Sequence, residues 1–219
     1  MRFLITLLLF LYCCSGNEKQ VVDVPYNNLR TNRLLLQGSD ALKQHNFMQA
    51  LALADSADKY AVQKADIHFF KGRVYSELGR FSEAEQAYKN ALKAVPGYRG
   101  ALNNLGNNAY RQQNFSQAID YYIQEVTQNQ APIPLRALGR AFVELGKTDS
   151  ARTCFQKAID LDMNYAAAYF NLAQLEEDEG NFKQALQHAG RAYGIEPDNL
   201  EYRYVYSTLL VQMDRGSEA

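Results

Sequence analysis

The side chains most able to act chemically in this 219-residue chain are two adjacent thiols (Cys13 and Cys14), a third thiol at Cys154, three imidazoles and a run of carboxylates from Glu176 to Glu179. His45, His68 and His188 lie too far apart in sequence to supply paired metal ligands, and no His-Glu-x-x-His stretch is present. His68 falls where a helix needs a packing residue. The glycines are isolated rather than grouped, so they form no phosphate-cradling loop. The acidic run ends a helical segment beside a turn, and a solvated face is expected there. Cys154, alone in a helical segment, reads as a small buried apolar residue. These patterns predict no enzyme: no catalytic residue, no metal site and no cofactor.

The remaining thiols have a different context. Arg2 precedes an apolar run from Phe3 to Tyr12, which Cys13 and Cys14 close. A helix needs about 20 apolar residues to cross a bilayer. This run is too short for that and reads as the core of a secretory signal. The segment resembles a bacterial lipoprotein signal of the relaxed Bacteroidetes type, in which a cysteine becomes the lipidated first residue. Cys14 fits best, with Leu11 three residues earlier and small Cys13 just before it; Cys13 is the alternative. The resemblance implies export and a lipid anchor in a membrane, facing the periplasm or the cell surface. An ordinary signal peptide would instead leave a soluble periplasmic or secreted protein. Residues 1–14 are assigned to the signal, and the polar stretch 15–30 to a flexible tether.

Charge nearly cancels, with 23 Lys and Arg against 24 Asp and Glu. Such a balance argues against nucleic acid as a partner, because that needs a concentrated basic face. Trp is absent, while Tyr and Phe number 15 and 11. The spacing of small and aromatic residues shows what these side chains build.

A unit of 34 residues runs through the chain at 31–64, 65–98, 99–131, 132–165 and 166–199, the third one residue short. Counting places within a unit, place 8 holds Gly38, Gly72, Gly106, Gly139 and Ala173. Place 20 holds Ala50, Ala84, Ala118, Ala151 and Ala185. Small residues at two fixed phases suit helices that cross at about 8–10 Å. Gly79, Gly146 and Gly180, at place 15, mark a helix C-terminus. Pro96 and Pro197 follow second helices that cannot continue through them. Glu125 stands at place 27, where alanine is expected, and Pro132 and Pro134 follow, so stacking is expected to change at that junction. Glu176 at place 11 breaks an apolar position.

Residues 65–98 supply Gly72, Tyr75, Ala84, Tyr88, Ala91 and Pro96 at six diagnostic places and closely resemble the tetratricopeptide repeat (TPR). The resemblance implies an all-α fold, a right-handed superhelical α-solenoid of helix-turn-helix repeats. Residues 200–219 would add a capping helix, packing through Tyr202, Val205, Tyr206, Leu209, Leu210 and Met213. Tyr204 and Val211 fall off that face and offer a surface for a homo-oligomer.

The resemblance further implies a concave groove lined by places 2, 5, 9, 12 and 13 of the first helices, which share one face. The groove residues are then Phe69, Arg73, Asn103, Asn107, Tyr110, Arg111, Arg136, Arg140, Phe170 and Gln174, with Leu35, Ser39, Glu77, Glu144 and Asp178 beside them. Amide side chains can bond a peptide main chain, and Arg forks suit carboxylates. The expected partners are other proteins, held as a peptide or helix by a scaffold of the cell envelope. The carboxylate clamp of some family members is not matched, since Phe69, Arg73, Ile133 and Ala137 stand at four of its five places and only Asn104 agrees. Two alternatives stay open. One is a carbohydrate or cell-wall ligand stacked on Tyr110, Tyr169 and Phe170. The other is a regulatory subunit of an envelope enzyme.

Overall fold

The structure, a computed structural model, describes residues 26–217. Cys13, Cys14, the signal segment and most of the tether lie outside the described residues. Eleven helices and no strand occur among the described residues. They form five antiparallel pairs: α1 (Tyr26–Lys43) with α2 (Phe47–Asp58), α3 (Ala65–Glu77) with α4 (Phe81–Ala94), α5 (Ala101–Arg111) with α6 (Phe115–Gln128), α7 (Pro132–Glu144) with α8 (Thr148–Leu161), and α9 (Ala166–Asp178) with α10 (Phe182–Ile195). α11 (Leu200–Ser217) closes the array. Each helix packs on its sequence neighbours, and each first helix also touches the next first helix. The result is an α-solenoid. α1 starts earlier than the sequence boundary at residue 31, so residues 26–30 are helical and not tether. No glycine or proline stands between Tyr26 and Gly38 to stop the helix.

The five alanines at place 20 have no solvent exposure at all. Place 8 has a more specific duty than a close crossing. A Cβ on Gly72 would stand 2.5 Å from the Tyr88 ring, one on Gly139 2.5 Å from the Phe155 ring, and one on Gly106 would run into the Tyr122 ring. The aromatic at place 24 of α4, α6 and α8 therefore lies across the first helix of its pair, in a notch only glycine leaves open. In the fifth unit Ala173 replaces glycine, and its partner at place 24 is the small Ala189, both buried in one cluster. In the first unit place 24 is Ala54, and the space beside Gly38 is filled by Phe70 of α3 instead.

Place 15 takes the left-handed backbone in every unit: Gly79, Gly146 and Gly180, but also His45 (φ 58°) and Gln113 (φ 61°). A side chain there costs about 1 kcal/mol or more. Gln113→Gly is expected to raise stability by about 1 kcal/mol. Unchanged or lower stability in urea denaturation would contradict the strain.

The irregular third junction is built from two compensations. Glu125 is buried at 3% exposure and accepts hydrogen bonds from the Gly100 N–H (3.1 Å) and the Asn103 N–H (3.3 Å). Gly100, the N-cap of α5, has no side chain to cap with, so a carboxylate from α6 does so at the positive end of the helix. Pro132 opens α7, where a missing N–H is harmless.

The acidic run is only partly a solvated face, because Asp178 and Glu179 are exposed and Glu177 is half-buried. Glu176 is 6% exposed; it accepts from Arg152 Nε at 3.0 Å and from Asn181 Nδ2 at 2.9 Å, and Glu179 also pairs with Arg152. Here place 11 meets the preceding unit, and an ion pair with α8 replaces the apolar contact. α11 also departs from expectation. Tyr202 and Leu209 are buried against α9 and α10, but Leu210 and Met213 are exposed, because no further helix covers that side. Tyr204 and Val211 are exposed, at 72% and 51%.

Candidate peptide-binding groove

Places 9, 12 and 13 recur on the inner face of the first helices because one α-helical turn separates them. Stacking then sets the inner faces of α3, α5 and α7 side by side. They enclose an open chamber of about 570 Å³, lined among others by Arg73, Asn103, Asn104, Asn107, Asn108, Tyr110, Arg111, Arg136 and Arg140. A second chamber of about 340 Å³ continues toward the C-terminal end, lined by Asn171, Gln174, Glu177 and Asp178 together with Val143 and Glu144. Tyr110 and Arg140 line both chambers. The Tyr110 hydroxyl donates to Glu144 Oε1 at 2.6 Å, and the Arg140 guanidinium lies over the Tyr110 ring at 5.1 Å. Burial, then the bond to Glu144, raise the Tyr110 pKa, so the phenol keeps its proton.

The floor of the larger chamber is polar. Ser76 Oγ donates to Asn108 Oδ1 at 2.7 Å and stands 3.1 Å from the Tyr88 hydroxyl. The Tyr122 hydroxyl donates to Asn107 Oδ1 at 2.7 Å. Tyr88 and Tyr122 are the same aromatics that cross Gly72 and Gly106, so their rings serve the core and their hydroxyls reach the groove. Burial pushes the Tyr88 pKa up to about 12. Phe155 crosses Gly139 in the same way but brings no hydroxyl. Two atoms of α5 lack partners: Asn108 Nδ2, on a residue 3% exposed, and Asn103 Oδ1. An unpaired buried polar group costs about 1–3 kcal/mol.

The four guanidiniums of the larger chamber make no ion pair among the described residues. Arg111 donates to the Ser76 carbonyl at the end of α3, and Arg136 donates to the Tyr165 hydroxyl at 2.9 Å. Both are held by neutral groups and keep their charge uncompensated. Glu77 is the one carboxylate among the lining residues.

Tetratricopeptide-repeat models match residues 35–99, 71–134 and 166–199, and a further TPR repeat model matches 139–178. The chain belongs to the tetratricopeptide-repeat family. It is 24% identical over 188 residues to the DnaJ homolog subfamily C member 7 homolog of Dictyostelium discoideum, covering 77% of this chain and 33% of that protein. The chain spans between 13% and 42% of the length of the curated relatives it matches. Among solved structures, Pseudomonas aeruginosa pilF superposes with a TM-score of 0.71 at 19% identity, covering 86% of this chain and 92% of that one. YrrB, described as a TPR protein with an unusual peptide-binding site, gives a TM-score of 0.58 at 20% identity, covering 80% and 90%. At these identities the likeness shows the fold.

Within this tetratricopeptide array, Arg73, Asn103, Asn107, Tyr110, Arg111, Arg136 and Arg140 share the larger chamber, and Gln174 lines the second. Phe170 does not line either one. It is 8% exposed and stacks on Tyr202 of α11 at 4.9 Å, because the capping helix covers place 5 of the last unit. Phe69 packs between Tyr88 and Tyr98, at 5.7 and 5.1 Å between ring centres. Tyr169 packs against His188 at 6.3 Å and against the buried clusters. Tyr110, Tyr169 and Phe170 therefore share no platform for a sugar ring. Sequence reasoning missed Ser76, Tyr88, Asn108 and Tyr122. Tyrosine instead of phenylalanine at place 24 was the available signal.

No group of three or more His, Cys, Asp or Glu is placed to hold a metal ion among the described residues. Burial lowers the pKa of His68 and of His188, so both stay neutral near pH 7. Cys154 is buried, and burial pushes its thiol up to about 11, far from a reactive thiolate. No helix among the described residues is long and apolar enough to cross a membrane.

Proposed function

We propose that this array holds a segment of a partner protein in the two chambers of its groove, as a scaffold of the cell envelope. The observation that carries the reading is the larger chamber, where four guanidiniums without an ion pair share the lining with Asn103, Asn104, Asn107 and Asn108. Arg136 and Arg140 would take a carboxylate, either an acidic side chain or a chain terminus, and the asparagines would take the main chain. The family fold supports a role in binding proteins, and YrrB, similar in fold, is a TPR protein with an unusual peptide-binding site. The chain would be exported and anchored in a membrane through lipid on Cys14 or Cys13, facing the periplasm or the cell surface. Exposed Tyr204 and Val211 on α11 would offer a self-association surface.

Labelled acidic peptides, with free and with amidated C-termini, test the groove by fluorescence anisotropy. The double variant Arg136→Ala, Arg140→Ala is expected to lose about tenfold or more in affinity while keeping its helical circular dichroism. Equal affinity in the variant would remove the guanidiniums from the site. Incorporation of labelled palmitate by wild type but not by Cys14→Ala would support the anchor, and labelling of both would move it to Cys13 or elsewhere.

A further inference from the structure

Resting on the groove reading, we infer that the occupant is an extended, bipolar segment, with an acidic half in the larger chamber and a basic half in the second. The charges of the two chambers have opposite sign. Arg73, Arg111 and Arg136 lie on one side of the Tyr110–Arg140 contact, opposed only by Glu77 among the lining carboxylates. Glu144, Glu177 and Asp178 lie on the other side. The two sets share one concave surface, yet none of these arginines pairs with any of these carboxylates. Glu177 and Asp178 make no ion pair at all among the described residues. Clefts lined by one sign of charge focus the field and select a ligand of the other sign.

Arg140 holds the boundary. It lies over the Tyr110 ring, and the Tyr110 hydroxyl donates to Glu144, so Tyr110 bridges the last cation of the larger chamber and the first carboxylate of the second. An all-acidic segment would seat its first half and meet repulsion at Glu177 and Asp178. Asn103, Asn104 and Asn107 line the larger chamber and can bond main-chain groups, which an extended chain presents and a helix does not. The chamber centres fall near α5 and near the α7–α9 boundary. With first helices about 8–10 Å apart, they stand up to about 20 Å from each other. About six extended residues cover that distance.

Three fluorescein-labelled peptides decide it, measured against the full chain at low and at physiological salt. One carries an acidic block, a spacer of about six residues and a basic block. The second has the same composition with charges alternating, and the third has acidic blocks at both ends. The bipolar peptide is expected to bind about fivefold or more tighter than either of the others, with the advantage shrinking as salt rises. The double variant Glu177→Lys, Asp178→Lys is expected to reverse the order of the first and third peptides. Both substitutions are at surface positions, so folding should persist, and circular dichroism checks it. Equal or tighter binding of the doubly acidic peptide to wild type would overturn the bipolar occupant while leaving the groove reading intact. So would an unchanged order in the variant. Failure of all three peptides to bind would overturn the groove reading itself, and the inference with it.

Discussion

Gly72→Ala is expected to lower stability by about 2 kcal/mol, although alanine is the better helix former by about 1 kcal/mol. Gly72 lies in the interior of α3, and the added Cβ would stand 2.5 and 2.6 Å from two ring carbons of Tyr88. That ring is 1% exposed, and its hydroxyl sits against Ser76. It can retreat only by pushing α4 outward or by giving up the polar floor of the groove. Overpacking of this kind costs about 1–3 kcal/mol, sometimes more, and outweighs the gain in helix propensity. For a chain of this size the loss corresponds to about 4–8 °C in Tm. Gly194→Ala makes the control. Gly194 is in α10, and nothing lies within 4 Å of the added methyl. There the propensity acts alone, and stability should rise by about 0.5–1 kcal/mol. Thermal denaturation of the two variants should therefore shift in opposite directions. A shift of the same sign in both would show that the Tyr88 notch is not what fixes glycine at this place.

The second large effect is expected at Arg152. Arg152→Ala removes the partner of Glu176, whose side chain keeps only 7% of its exposure, and leaves Asn181 as the one remaining donor. Breaking a buried pair costs about 3–5 kcal/mol. Arg152 itself is 34% exposed, so water screens part of the attraction, and about 2–3 kcal/mol is the expected loss. The sign of the pH dependence is distinctive. Burial by itself would raise the Glu176 pKa, but the hydrogen bonds from Arg152 and Asn181 and the Arg152 charge bring it below the ordinary value of 4.5 for a glutamate. The folded state then binds fewer protons than the unfolded one just below that value. The wild-type contribution is complete above about pH 4.5 and is lost as pH falls through the lowered pKa. In the variant, burial is unopposed and protonation relieves the cost. The difference between wild type and Arg152→Ala should be largest at neutral pH and shrink in acid. Urea denaturation at pH 7 and pH 4 measures it, and a difference that grows toward pH 4 would contradict the buried pair.

Much of the fold was legible from spacing. Alanine at place 20 and a small residue at place 8 recur because helix pairs of one geometry repeat, and each repeat imposes the same steric demand. The groove was legible to the same degree. Arg73, Asn103, Asn107, Tyr110, Arg111, Arg136 and Arg140 follow from counting along one helical face, and they do line one chamber. The errors fall where a neighbour outside the counted helix decides. Phe170 occupies a groove place but is covered by α11, and the capping helix has no counterpart along the rest of the array. Glu176 looked solvated because its own helix offers no cation, while Arg152 reaches it from α8. Tyr88 was read only as a diagnostic residue of the repeat and Tyr122 was not singled out, and nothing in the repeat tells how far a hydroxyl extends past a glycine notch.

The sequence alone therefore determined the helix pairs, their register and the face each first helix turns inward, since these depend on periods that local sterics impose. The tertiary structure alone decided which charges are paired and which are left without an ion pair. That outcome depends on distances between helices many residues apart. Such distances separate Arg152, bound to Glu176, from Arg73, Arg136 and Arg140, which face an open chamber.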